Sequence, residues 1–472
     1  MAVSWFDNWS PPPNVFPDHH PFHAPLGNQS YNHQRTVDKY GPISNLLPFF
    51  LQLGLLDVPN NYEPAERTGP FVTWYQWKMM DFQYETPEDR EFALSNGDFI
   101  PENNLPLGVE VYKDRLFITM PKWKPGVPAT LAVLPKTPKE LTPKLVPYPN
   151  WDYHNTISCQ GLTSVFRVQA DTCGRLWVLD SGLINVTIKP KQACPPQIFI
   201  FDLSTNKLIL RYELPEEFIK QDGLYSNIAV DIRDNDCVNV HAYLTDVWRY
   251  GLVVFSLEKR RSWRITDHLF YPEPLAAAYN VHGLEFEWVD GVFGLSLSPY
   301  NRKAQDRILY FHPMSSFREF YVKTSVVCNE TGWSDVKDAF KVMGQSRGRF
   351  GHVSASAMDR NAIMFFNMVT RDSIGCWDSR KPYKRDNIGV VAKSTKSLVF
   401  PNDLKIDNEE RQSVWILSNR LPFFLYRELN KKEYNFRIMS AYTDEAIKGT
   451  ICDPEVKRFD SFRSYPDGDD CY

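Results

Sequence analysis

Four polar residues, Asn227, His282, His352 and Asn402, stand at or near the head of short apolar runs in a 472-residue chain. An amide both donates and accepts hydrogen bonds, and an imidazole gains or loses a proton near neutral pH. Brought to one axis, such groups can orient a small polar ligand. His282 and His352, with Glu285 nearby, are by residue type also candidates for moving a carbon-bound proton. The competing role is to satisfy buried backbone groups and channel waters. Which role applies depends on the elements that aim them.

Those elements repeat. Three β-type runs, 165–168, 176–179 and 197–202, are joined by a polar turn at 171–174, where Asp bonds its own backbone and Gly tolerates positive φ. An apolar run ending in Asp and followed by a second apolar strand recurs along the chain. The turn aspartates are Asp114, Asp171, Asp231, Asp290, Asp359 and Asp407, about 48 to 69 residues apart. Third strands are expected at 129–134, 197–203, 251–257, 307–312, 388–392 and 423–429. Fourth strands are expected at 207–214, 263–269, 317–327 and 435–442. This pattern predicts an all-β chain folded as a six-bladed β-propeller of four-stranded antiparallel blades. In that fold Asn227, His282, His352 and Asn402 start inner strands and face the channel. The aromatic stretch 71–84 is predicted to pair beside 435–442 and close the ring, because an open ring would expose a sheet edge. Thr86-Pro87-Glu88 starts a short capped helix, and 444–447 forms one helical turn.

Residues 1–70 are Pro-rich, lack strand periodicity and are expected to form a disordered arm, with the propeller over 71–456 and a polar tail over 457–472. His19, His20 and His23 lie in the arm, where a solvated tail is the expected role and no metal is assigned. A net charge of −4 and the lack of a long basic run give no footing for nucleic acid. The run 46–56 is too short to span a membrane, and the first ten residues do not read as a secretory leader. Eight cysteines without a CxxC pair, together with sequons at Asn8, Asn28, Asn185 and Asn329, nevertheless point to an oxidising, secretory compartment. Glycans are expected at Asn185 and Asn329, and Cys173 and Cys194 could pair. Phosphate-loop, zinc-protease and serine-hydrolase motifs are absent, and no cofactor is implied.

Several segments carry a specific likeness. They are Ile-Pro-Glu-Asn-Asn-Leu-Pro-Leu-Gly (100–108), Leu-Phe-Ile-Thr-Met-Pro-Lys-Trp-Lys-Pro-Gly (116–126), Cys-Gly-Arg-Leu-Trp-Val-Leu-Asp-Ser-Gly (173–182), Gly-Cys-Trp-Asp (375–378) and Val-Trp-Ile-Leu-Ser-Asn-Arg (414–420). Over about residues 71–456 the chain resembles the insect yellow / major royal jelly protein family. The resemblance implies a secreted six-bladed propeller with a role in cuticle pigmentation, binding a catechol- or indole-derived small molecule in its channel. By that resemblance, contacts to biogenic amines fall at Asn402, Asn419 and Leu421. Leucine at 421 departs from the aromatic pattern and supplies no cation–π attraction, and Phe423 is the nearby substitute. The alternative from the same family is conversion of dopachrome. A third reading is a calcium-dependent lactonase, suggested by Asn402-Asp403 and Asn227 in a channel.

Overall fold

The computed structural model describes residues 69–154, 158–220 and 223–456. The expectations for the arm up to residue 68, its histidines, the leader and the tail from 457 lie outside the described residues.

Six four-stranded antiparallel sheets form the blades. Their inner strands are Gly108–Tyr112, Val165–Ala170, Tyr225–Asp231, Val292–Leu297, Val353–Met358 and Pro401–Ile406 for blades 1 to 6. Each inner strand touches those of the next and previous blades, and blade 6 touches blade 1, so the ring is closed. The closing strand is Val72–Trp77. It pairs antiparallel with Phe436–Tyr442, as predicted, and becomes the outermost strand of blade 6. Trp77 and Tyr75 are buried there, and the Trp74 indole donates to Ser440 Oγ at 2.7 Å.

The recurring aspartates have a physical cause in three blades. Asp171 accepts the backbone N–H of Cys173 and Arg175 and the indole N–H of Trp177. Asp407 does the same for Ser413 and Trp415, and Asp231 accepts from the Tyr243 hydroxyl. Asp171 and Asp407 fix the turn after an inner strand through its N–H groups, and all three carboxylates clamp the aromatic third residue of the next strand. Thr86 caps the helix Pro87–Asn96 through a reciprocal bond with Asp89, and Thr443–Ala446 is the expected helical turn.

The repeat reading is corrected in three blades. In blade 4 the inner strand is Val292–Leu297, followed by Ile308–Pro313 and Phe320–Lys323. The segment placed first there, 284–290, instead belongs to a separate hairpin, Ala278–Val281 with Leu284–Glu287. Asp290 is therefore not a turn aspartate. In blade 5 the third strand is Ser373–Asp378, and Ile388–Lys393 is fourth. In blade 6 the third strand is Phe436–Tyr442, and the expected strand over 423–429 is replaced by the helix Leu421–Tyr426, with Pro422 in its first turn. The disulfides join Cys159 to Cys194, Cys173 to Cys237 and Cys376 to Cys452, so Cys173 and Cys194 do not pair with each other. Cys173 stands in the turn beside the Cys237 loop of blade 3, and that bond ties two blades together at their turns.

Candidate functional site at the entry end of the channel

Inner strands begin at one end of the channel, and an aromatic pocket lies there. Its wall includes Trp123, Phe166, Trp248, Trp288 and Phe293, with Asn402, Leu421 and Leu425 beside them. One ionisable side chain, Asp290, reaches into this apolar lining. The Trp248 indole donates to Asp290 Oδ1 at 3.2 Å, and the Asp290 backbone N–H donates to Ser315 Oγ. Part of Asp290 meets solvent, yet the surrounding rings desolvate its carboxyl. That burial pushes its pKa up to about 7 against the smaller opposing pull of the indole N–H. The group thus stands where it can both take and return a proton near neutrality.

The roof over the pocket comes from the hairpin and the helix Leu421–Tyr426. Tyr279 stacks on Phe286, which meets Trp288 at a tilt, Phe286 lies 5.4 Å from the Tyr426 ring, and the Trp288 indole donates to Tyr426 Oη at 2.6 Å. The cavity beneath holds about 30 Å3, the room of one water. As it stands this space is smaller than a bicyclic ring.

Directly below, the channel is plugged. Arg167 and Asp403 form a fully buried ion pair, and Arg167 also donates to the Asn402 carbonyl at 2.9 Å. Asp403 accepts the Val109 and Leu404 N–H groups. A guanidinium thus already holds the carboxylate that a channel calcium ion would need, and the Asn402 amide is turned to Leu107 O at 3.0 Å. The donor set does not fit calcium.

The structure separates the residues singled out in the sequence. Asn402 and Leu421 line the aromatic pocket. Asn419 lies under the roof with its amide spent on Pro106 O and the Leu421 N–H. Asn227 sits on the far side of the plug, donating to Phe293 O and accepting from Ile228 N–H. His282 starts no inner strand. It occupies the two-residue turn of the hairpin with Gly283, both at positive φ (51° and 78°), the geometry of a type I′ turn. There its Nε2 meets Asp372 Oδ2 at 2.6 Å, a bond that raises the imidazole pKa, and its ring lies 6.5 Å from Phe423. Glu285 is exposed on the same hairpin and accepts from Asn280. His352 is wholly buried, stacked on Tyr279 at 3.9 Å, with its ring nitrogens against Ala276 O and Thr370 Oγ1. Burial drops its pKa to about 4. Neither histidine nor Glu285 lines this pocket or the larger space beyond the plug. Asp290 was missed because it was counted as a turn residue. The available signal was its setting, a lone carboxylate between Trp288 and Phe293.

A family model described as "Major royal jelly protein" matches residues 163–452. The "Dopaminechrome tautomerase" of Drosophila melanogaster is 48% identical over 399 residues, covering 83% of this chain and 86% of that protein. The "Protein yellow" of Drosophila melanogaster is 40% identical over 384 residues, covering 80% and 70%. Among solved structures, a virginiamycin B lyase from Staphylococcus aureus aligns with a TM-score of 0.39 at 12% identity, covering 72% and 95%, too remote to bear on chemistry. On the matched segment and these identities, the chain belongs to the yellow and major royal jelly protein family.

Proposed function

We propose that the entry-end pocket takes an indole- or catechol-derived ring and that the chain isomerises a dopaminechrome-type aminochrome, with Asp290 carrying the proton. The observation that carries this reading is a carboxyl poised near pH 7 inside an aromatic lining, held by the Trp248 indole. The 48% identical relative supports the reaction class. A tautomerisation adds and removes no atoms. Ionised Asp290 takes a proton from a ring carbon, electrons shift to a quinone oxygen, and a proton returns at that oxygen. Tryptophan faces hold the flat ring, and the roof excludes water. The three disulfides among the described residues support work in an oxidising compartment outside the cell. Asn329, exposed, and Asn185, half-buried in a turn, are the proposed glycan sites.

A second reading has its own support: ionised Asp290 among Trp rings also suits a protonated amine, by ion pairing and cation–π attraction. Leu421 then needs no aromatic replacement. Spectrophotometric decay of dopaminechrome, run beside calorimetry with dopamine and serotonin, separates the two. Turnover that Asp290→Asn reduces at least a hundredfold is expected. Saturable amine binding without turnover selects the carrier, and neither result sinks both.

A further inference from the structure

Beyond the plug, at the end where inner strands finish, the channel opens into a chamber of about 450 Å3. Phe166 and Asn402 face the aromatic pocket, while Gln169 and Lys405, on the same two strands, face the chamber, with the Arg167–Asp403 pair between them. The chamber wall takes residues from matching places in the blades. Glu110, Gln169, Ser296 and Lys405 pair with Phe117, Trp177, Tyr310 and Trp415, the third residues of their second strands. Ser356 is one step away because blade 5 bulges, pairing with Phe366.

This wall has unmet hydrogen-bonding capacity. Ser296 and Ser356 are only 3% and 6% exposed, and neither hydroxyl has a partner among the described residues. Buried polar groups are rarely left so. Lys405 lies on the inner strand next to that of Glu110; the two charges attract each other but make no close ion pair among the described residues. Leu295, Leu297 and Leu404 supply apolar wall between the polar groups.

Two opposite charges on neighbouring blades, attracting each other without a close ion pair, suit a ligand that bears both signs. We propose that the chamber is a second binding site, for a small zwitterion of the α-amino-acid type. The carboxylate lies against Lys405, with the Ser356 and Ser296 hydroxyls donating to it from blades 5 and 4. The ammonium lies against Glu110 on the other side, and an uncharged side chain runs along the leucines. Burial pushes the Glu110 carboxyl up and the Lys405 ammonium down, and the bound zwitterion supplies each with a full counter-charge. The site stands independently of turnover at the entry end, since the plug divides the two.

The test is calorimetric titration of the full chain with L-phenylalanine, phenethylamine and 3-phenylpropionate. In the Asp290→Asn variant, which removes the entry-end carboxylate, saturable one-to-one binding of L-phenylalanine is expected, with each single-charge analogue at least tenfold weaker. Lys405→Met should weaken L-phenylalanine at least tenfold and Ser356→Ala about threefold, while Asp290→Asn leaves it unchanged. Ser356→Ala removes only an unpartnered hydroxyl, so the test stands even if Lys405→Met fails to fold. The proposal is overturned by no saturation with L-phenylalanine, by an analogue binding equally well, or by affinity that Ser356→Ala leaves unmoved.

Discussion

The two ends of the channel are built from the same six strands and differ in almost everything else. At the entry end aromatic rings crowd one carboxyl into about 30 Å3, whereas at the exit end hydroxyls and opposite charges surround about 450 Å3. The difference begins in the loops. Strand entries receive the connections that carry Trp123, Trp248, Trp288 and the helix Leu421–Tyr426, most of them long, so rings can fold over the opening. Several strand exits lead into tight turns pinned by aspartates, and such turns are too short to roof anything. A propeller can therefore place chemistry that needs dryness at one mouth and recognition of a hydrated solute at the other.

Separation of the two ends rests on the plug, and breaking it should have the largest effect. Asp403→Asn strands the Arg167 charge in the interior, a loss of about 3–5 kcal/mol that a urea-unfolding midpoint will report. Little change there would mean that the ion pair does not hold the strands apart. Next in size is Asp290→Asn, expected to lower dopaminechrome turnover at least a hundredfold, about 2.7 kcal/mol in barrier. Lys405→Met should leave turnover within twofold. Loss of turnover in both variants would erase the distinction between the ends.

The pH profile sharpens the same point. As a base Asp290 must be ionised, so turnover should rise with pH through about 7 and level off above it. A flat profile between pH 6 and 8 removes Asp290 from the role. Stability should run the other way. The folded state holds this proton more tightly than the unfolded chain, whose carboxyl titrates at 3.8, so stability from this group falls as pH rises from there to about 7. Asp290→Asn should accordingly melt a few degrees above the parent at pH 8 and show no such gain at pH 4. Trp248→Phe removes the hydrogen bond that favours the ionised carboxylate. Its turnover profile should move to higher pH, with a plateau lowered only severalfold.

The smallest effect is expected at His282. Its bond to Asp372 raises its pKa, so the stability it adds is complete below about 6.5 and fades as pH rises through the raised value. His282→Ala should cost under about 1 kcal/mol at pH 6, since the imidazole is one-third exposed, and less at pH 8.5. Turnover should stay within about twofold, and a tenfold fall would return His282 to the catalytic list.

How far the chain could be read follows from the same strands. Blade number, ring closure by 71–84 and most second strands were legible because turn aspartates and aromatic third residues repeat. Blade 4 was misread for an identifiable reason. In Leu284–Glu287 buried Leu284 and Phe286 alternate with exposed Glu285 and Glu287, the pattern of a strand with one face in water. The true inner strand, Val292–Leu297, is buried nearly throughout, as a strand wedged between two blades must be. His-Gly at 282–283, flanked by Tyr279, Val281, Leu284 and Phe286, was the readable hairpin signal. The segment 423–429 looked strand-like for its aromatics, but Pro422 and buried Leu421 and Phe424, three apart, mark a helix. The pocket was legible only at Asn402 and Leu421. Its rings come from inner strands, from turns inside blades and from the connection before blade 4, and their convergence on Asp290 is a fact of tertiary structure.

Joining the outermost strand of blade 6 from residues 72–77 has a consequence for biosynthesis. Trp74 meets Ser440 across 366 residues of chain. A ribosome delivers residues 72–77 well before their partner, so the nascent polypeptide carries an unmatched aromatic ribbon while all six inner strands are made. Until that partner strand is made, Val72–Trp77 has no sheet edge to join, and its docking completes the ring.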